Sequence, residues 1–431
     1  ESVEREFRRA KTHYEKLKAA KKITLSVSGN GTGTAGSQPA IAALLNGLNI
    51  KPTQLNEKPG KLISNSSPTI PPLFQPAKRH ERQFRELMRH VQTLLRESAK
   101  VRKLVWSKAS RKSVADWKKT SAFYRYHVWQ ELFGKLPAAT MPPNVRTRKV
   151  IDTPKYKGYE VVIDLFPDVI ASGILLLPTD LKKGEKRPVV VCQHGLEGTP
   201  MDTITETGNG FRYYKAFAVR LAERGFITYA PQNPYRGRDK FRVIQRKSNP
   251  LKRSLFSYII PQHKRTLEWL ATLPNVDTKR IAFYGLSYGG KTAVRVPPML
   301  PPSKNSPGYC LSICSADFNE WVKKNVSNED RYSYLFTGEY EIFEWNMGHV
   351  ANYAELSNLM VPRPFMVERG HRDGVAPDEW VAWEYAKIRR HYDYLNIGDR
   401  TEIEFFNGPH TINGQGTFRF LHKHLNWPAQ K

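Results

Sequence analysis

From residue 188 onward, short runs of unbroken apolar residues alternate with stretches of helical spacing, and that alternation leaves few folds open. Pro188-Val-Val-Val-Cys-Gln is followed by a predicted helix over 211–224, and Gly225-Phe-Ile-Thr-Tyr-Ala by one over 255–273. Arg280-Ile-Ala-Phe-Tyr-Gly, the segment 309–315, Arg363-Pro-Phe-Met-Val-Glu and Thr401-Glu-Ile-Glu-Phe-Phe continue the strands, with helices over 379–395 and 417–425 in the later gaps. A strand that is apolar on both faces belongs in a sheet covered on both sides, and strand–helix alternation makes that sheet mostly parallel. Upstream, Tyr159-Glu-Val-Val-Ile-Asp-Leu-Phe and Ile170-Ala-Ser-Gly-Ile-Leu-Leu-Leu-Pro pair across a Pro-Asp turn. The expectation is an α/β domain over 151–431, with an insertion at about 318–360 between two of its strands.

The front third has a different texture. Of the net charge of +28, residues 1–150 carry +20, from 30 basic and 10 acidic side chains. A charged helix is expected over 1–22, then a Gly/Ser/Pro-rich linker over 28–75 broken by Ala40-Ile-Ala-Ala-Leu-Leu. Phe84, Leu87, Met88, Val91, Leu94 and Leu95 then recur at helical spacing, and Ser113 with Asp116 forms a capping pattern for a helix ending near Gly134. Residues 1–150 therefore read as a basic, helical N-terminal extension. No apolar run approaches the length of about 18 residues needed to span a bilayer, so no membrane span is expected. Cys310 and Cys314 sit four strand residues apart, about 13 Å and beyond disulfide reach. With Cys192 they read as free thiols, and none forms a metal-like pair with histidines. If residue 1 is a processed terminus, a secreted or periplasmic home follows; the chain gives no oligomeric state.

The chemistry concentrates in Arg280-Ile-Ala-Phe-Tyr-Gly285-Leu286-Ser287-Tyr288-Gly289-Gly290, an apolar strand running through G-x-S-x-G into a helix. This pattern sets a serine on a strained strand-to-helix turn, with flanking glycines letting neighbouring backbone approach. The same residues admit a second reading. Gly285 to Thr292 also spells G-x-x-x-x-G-K-[ST], a phosphate loop in which Lys291 binds phosphate and Thr292 magnesium.

Segments elsewhere favour the first reading. Asp373 lies in the loop after a later strand and His410 in the loop after the last one, so a nucleophile, an acid and a base, Ser287, Asp373 and His410, each follow a strand. Their chain order is that of a Ser–Asp–His triad on an α/β sheet. The amide of Tyr288, directly after the nucleophile, supplies one oxyanion donor, and the Gln193-His194-Gly195-Leu196-Glu197 segment lies where a second donor is expected. His194, Glu197 and His371 are candidate substrate contacts, with Asp378 and Glu368 as fallback acids and Asp378 also a cap for the helix after it. His422 and His424 fall on a predicted helix, where packing suits them better. A phosphate-loop enzyme would further want a magnesium-binding acid after an apolar strand, and Asp317 matches that poorly.

On Gln193-His-Gly-Leu-Glu-Gly, Gly285-Leu-Ser-Tyr-Gly-Gly, Gly370-His-Arg-Asp373 and Gly408-Pro-His410, the region from about 150 to 428 resembles the α/β-hydrolase superfamily. Within it, the chain is similar to the dienelactone hydrolase-like and acetyl xylan esterase-like serine esterases. The resemblance implies the α/β-hydrolase fold and an oxyanion amide at Leu196. It also implies that Asn233-Pro-Tyr-Arg236-Gly lines the site, with Arg236 against the substrate. The dienelactone type carries a cysteine nucleophile, whereas serine stands here at 287, which favours a plain esterase.

The expected activity is then hydrolysis of short acyl esters, of carbohydrates above all, through an acyl-enzyme and without a metal or organic cofactor. The aromatic insertion, with Phe318, Trp321, Tyr332, Tyr334, Phe336, Tyr340, Phe343 and Trp345, caps the pocket or simply packs; if it caps, Trp321 and Trp345 would stack on sugar rings. Three other functions are carried: a serine peptidase of prolyl oligopeptidase type, for which the propeller repeats are missing, the phosphate-loop NTPase, and a polyanion-binding protein using the basic extension.

Overall fold

A computed structural model describes residues 2–33, 35–50, 75–237, 240–328, 331–339 and 344–428. The chain divides into two compact units, Glu1–Gln83 and Phe84–Lys431. The first holds the helix Ser2–Lys16, which buries no residue, the helix Gln38–Gly47 with a proline in its first turn, and the start of the helix Pro76–Val105. Most of the stretch expected as a linker, 51–74, lies outside the described residues. Among the described residues, no helix is long and apolar enough to cross a membrane.

The second unit is built on one nine-stranded sheet. Its strands are β1 (Arg146–Asp152), β2 (Tyr156–Phe166), β3 (Val169–Pro178), β4 (Arg187–Gln193), β5 (Ile227–Pro231), β6 (Val276–Leu286), β7 (Leu311–Ser315), β8 (Phe365–Gly370) and β9 (Thr401–Phe406). They lie in the order β1-β2-β3-β5-β4-β6-β7-β8-β9. β1, β2, β3 and β5 pair antiparallel, and every pair from β5 across to β9 is parallel. Every residue of β4, β5, β7 and β8 is buried, which is why apolar residues run through most of each strand. Successive side chains of β4 serve opposite faces: Val189 and Val191 join the core containing Ile259, Phe283 and Trp117, while Val190 and Cys192 join that of Phe217, Tyr284 and Phe420. All three cysteines are free.

Three features depart from the sequence expectation. β1 was not foreseen: it is an edge strand, almost wholly exposed, so no apolar pattern marks it. The helix expected over 211–224 is two helices, Gly208–Tyr214 and Phe217–Ala222, separated by Lys215 and Ala216, both left-handed at φ 53°. And the boundary between compact units falls after Gln83, whereas the sequence places it near 150. The reason is an aromatic arm over 106–133. Ser113 caps the helix Val114–His127 by accepting from the Asp116 amide at 3.0 Å, and a π-helical turn, Val128–Phe133, carries the chain to Gly134 at φ 79°. Trp117, Tyr124, Val128 and Phe133 are buried in the first of the two cores. The Trp106 indole donates to the Val350 carbonyl at 2.7 Å, Trp117 to that of Asn358 at 3.1 Å, and Arg125 to that of Leu359 at 3.0 Å. The arm is thus part of the α/β unit.

Candidate active site

β6 ends in a turn too tight for most residues. Ser287 follows it at φ 59°, ψ −122°, a strained backbone that costs about 1–3 kcal/mol and places its side chain at the carboxyl edge of the sheet. The helix Tyr288–Ala293 starts at the next residue. A Cβ on Gly285 would lie 2.4 Å from the Gly289 carbonyl oxygen, and one on Gly289 would lie 2.4 Å from that of Gln193. Only glycine fits at either place. This closure also disposes of the phosphate loop: the backbone folds onto itself with no cradle, Lys291 is buried, and the Thr292 hydroxyl donates to the Tyr288 carbonyl at 2.8 Å. The Ser287 amide donates to the Ser315 carbonyl at 2.9 Å, which ties the turn to the end of β7.

His410 and Asp373 meet across the neighbouring strand ends. Nδ1 of His410 lies 2.9 Å from Oδ2 of Asp373, whose side chain is fully buried while the imidazole is 25% exposed. The loop bearing His410 is fixed on both sides. Thr411 donates to the carbonyls of Arg212 and Tyr213 at 3.0 and 2.9 Å, and the amides of Asn413 and Gly414 donate to Glu368 at 3.2 and 2.9 Å. The acid loop is fixed by its own turn, with the Val375 amide donating to Oδ1 of Asp373 at 2.9 Å. Arg369, the fifth residue of β8, adds Nη1 at 3.2 Å from Oδ2.

Ser287 and His410 line one cavity of about 1210 Å3, together with Gly195, Leu196, Glu197 and Tyr214. A Cβ built on Gly195 would come within 3.1 Å of the Ser287 Cβ and 3.5 Å of its Oγ, so the Gly195–Leu196 backbone passes directly beside the hydroxyl. The Gly195 amide donates to the Tyr214 hydroxyl at 2.7 Å, which holds that loop down. Arg242, Arg246 and Glu339 complete much of the polar wall. Among the described residues no group of three or more His, Cys, Asp or Glu side chains is placed to hold a metal ion.

The other residues named from the sequence are dispersed. Glu197 reaches the cavity. His194 is fully buried, with Nδ1 2.7 Å from the Gly195 carbonyl and Nε2 accepting from the Asn233 amide at 3.3 Å; burial pulls its pKa down to about 4. Both ring nitrogens are spent on backbone, so the ring shapes the loop instead of meeting a ligand. Arg236 lines a separate cavity with Asp168 and Gln262. His371 lies outside the residues of the Ser287 cavity; it stacks on Phe405 and sits 2.6 Å from Asp378. Trp321 is only 2% exposed and stacks on Tyr353 inside the core, while Trp345, 89% exposed, borders a groove away from Ser287. Phe318 and Tyr334 are likewise buried, so these parts of the insertion pack as core, and among its described residues Thr337, Gly338 and Glu339 reach the cavity. Tyr340 and Phe343 lie outside the described residues.

The fallback acids are engaged elsewhere. Glu368 is knotted to five neutral donors, and Asp378 is the first residue of the helix Asp378–Tyr394, bound to Arg369 and His371 instead of capping. His422 bonds the Trp427 carbonyl, and burial lowers His424 to about 4. Arg369 was missed. Its one trace in the sequence is the charged pair Glu368-Arg369 at the end of an apolar strand.

No protein-family model matches the chain. Among solved structures it is similar to a candidate acetyl xylan esterase from Bacteroides fragilis, at 16% identity and a TM-score of 0.55 over 69% of this chain and 77% of that one. It is also similar to a glucuronoyl esterase from Solibacter usitatus, at 13% identity and a TM-score of 0.52 over 73% and 93%. A methylesterase matches at 15% identity and a TM-score of 0.51 over 76% and 67%. Together with the strand order, these likenesses establish the α/β-hydrolase fold with helices on both faces of the sheet.

Proposed function

We propose that this α/β-hydrolase-fold protein is a serine carboxylic-ester hydrolase working through an acyl-enzyme. The observation that carries the reading is the Asp373–His410 pair at 2.9 Å, whose imidazole opens onto the same cavity as Ser287. With Nδ1 held by Asp373, Nε2 is the nitrogen left to face the serine. His410 Nε2 takes the Ser287 proton as Oγ bonds to the ester carbonyl carbon, and the carbonyl electron pair moves onto oxygen. The amides of Leu196 and Tyr288 are the proposed oxyanion donors, each worth about 3–4 kcal/mol where such a donor has been removed. Collapse expels the alcohol, which leaves with the proton carried by His410. Water then attacks the acyl-serine with His410 as base again, and the acid departs. Asp373 holds the imidazole tautomer and stabilises its cation.

A carbohydrate ester is the proposed substrate class, with a short acyl group or a small alcohol. Support comes from a cavity wide enough for sugar rings and lined by Glu197, Arg242, Arg246 and Glu339, side chains that suit a polyol. The similar structures bear the names acetyl xylan esterase, glucuronoyl esterase and methylesterase, which all denote ester hydrolases.

The test is a substrate panel of p-nitrophenyl acetate, acetylated xylan, a methyl ester of glucuronic acid and a proline-containing peptide, each with wild type and Ser287→Ala. Ester turnover that vanishes in the variant, with an unchanged melting curve, is expected. Undiminished ester turnover by Ser287→Ala would overturn the assignment, and cleavage of the peptide alone would move it to a peptidase.

A further inference from the structure

Oδ2 of Asp373 is shared. It faces Nδ1 of His410 at 2.9 Å and Nη1 of Arg369 at 3.2 Å, so one buried carboxylate oxygen lies between an imidazole and a permanent cation. Arg369 is itself 3% exposed, and its other donors are committed nearby. Nη2 donates to the Asp373 carbonyl at 2.9 Å and to the Ala376 carbonyl, and Nε to Oδ1 of Asp378 at 3.0 Å. Four contacts of one rigid fork thus reach the acid's side chain, its backbone and the loop that follows.

We infer that Arg369 is a positioning residue for the proposed reaction, a guanidinium clamp that keeps Asp373 charged and in register with His410. The inference rests on the triad reading above. Three physical arguments carry it. First, a buried carboxylate without a counter-charge costs several kcal/mol, and His410 is neutral while it waits to act as base, so the imidazole does not supply that charge. Arg369 does, at every stage of turnover. Second, Arg369 belongs to β8 itself, whose six residues are all buried, so the clamp ties a loop position to a fully buried strand of the sheet. Third, the fork geometry fixes direction as well as charge, and a displacement of about 1 Å in a catalytic group is enough to cost on the order of 100-fold in rate.

The charges around the pair come from several elements. Lys324, on the helix Trp321–Val326, donates to the Val375 carbonyl and faces both Asp373 and Arg369. Asp378 and His371 stand behind Arg369, Glu339 faces His410 from the insertion, and the Tyr213 ring meets the imidazole edge-on at 6.4 Å. Within this set, Arg369 is the cation in direct contact with the shared oxygen. A guanidinium in contact with such a pair disfavours adding a further proton to it, so its removal is expected to move the acid limb of kcat/KM to higher pH.

The experiment measures kcat, KM and the pH profile for p-nitrophenyl acetate with Arg369→Met, Arg369→Lys, Asp373→Asn and the double variant Arg369→Met/Asp373→Asn, alongside thermal melts. Arg369→Met is expected to lose about 100-fold in kcat with KM nearly unchanged, and to show the acid limb displaced upward. Arg369→Lys keeps the charge but not the fork, so its limb stays in place while kcat falls about tenfold. The double variant should be no slower than Asp373→Asn, because the clamp then has no carboxylate to hold. Arg369→Met with wild-type kcat and pH profile, and only a lower melting temperature, would overturn the clamp. So would a double variant whose loss is the product of the two single losses. Should the Met variant not fold, Arg369→Lys decides: wild-type kcat there removes the inference. Full activity in Asp373→Asn would instead bring down the triad reading beneath it, and the clamp with that reading.

Discussion

Glu368 and Asp373 leave the end of β8 five positions apart, both carboxylates and both buried, yet they keep different company. Glu368 accepts from the Tyr284 hydroxyl at 2.9 Å, the Ser315 hydroxyl at 2.5 Å, the Thr417 hydroxyl at 3.3 Å and the amides of Asn413 and Gly414. All five donors are neutral. Asp373 instead has a guanidinium, an imidazole and a single amide. A carboxylate tied to many neutral donors is a brace: it joins β6, β7, β8 and the start of the last helix, and with them the loop three residues beyond His410. A carboxylate set between a fixed cation and a titratable ring responds when charge moves. The chemical group is the same, and its partners decide which of the two it becomes.

Substitution should separate the two roles. The largest effect is expected from Asp373→Asn, about four orders of magnitude in kcat, since an amide in that place favours the wrong imidazole tautomer. Arg369 then keeps Asp378 as its one remaining carboxylate partner, so some stability is lost as well, and a stopped assay with kcat taken per folded molecule isolates the catalytic loss. Glu368→Ala should do the reverse. Two amides and three hydroxyls lose their acceptor, at a cost of about 3–5 kcal/mol in stability. Denaturant titration measures it, while kcat per folded molecule falls far less than in Asp373→Asn. A kcat loss as deep as that of Asp373→Asn, in protein shown to be folded, would erase the distinction.

The smallest effect is a pH dependence. Burial raises the Glu368 carboxyl above its ordinary value. Between those two values the folded chain keeps a proton that the unfolded chain has released, so this residue's contribution to stability declines as pH rises through that window. Glu368→Gln cannot titrate and should flatten that part of the stability–pH curve, measured by urea titrations at a series of pH values. An unaltered slope would mean that the five donors keep Glu368 ionised in spite of its burial.

The sheet was legible in the sequence wherever a strand is covered on both faces, because burial on two sides fills most of such a strand with apolar residues. β1 has water on most of its surface, so its residues carry no such mark. The break at Lys215 and Ala216 is equally silent, since both are left-handed and neither is a glycine or proline. At the candidate site, Ser287, Asp373 and His410 could be named because each follows a predicted strand; in the fold they stand past the ends of β6, β8 and β9, with β7 between the first two. The wall of the cavity could not. Composition counts aromatic rings but does not say which way they face, and Trp321 turns into the core while Trp345 turns out to water. His194 also follows a strand, but the approach of the Asn233 loop closes its second nitrogen, and that distance depends on tertiary packing.

The aromatic arm at 106–133 has a consequence for how the chain is made. Trp117 bonds to a carbonyl 241 residues later, Trp106 to one 244 later and Arg125 to one 234 later. At about 5–20 residues per second, those acceptors leave the ribosome on the order of 10–50 seconds after the arm does. Through that interval Trp117, Tyr124, Val128 and Phe133 have no finished sheet to lie on. The segment synthesised early is completed late, and until then the arm is a sticky, unclosed surface.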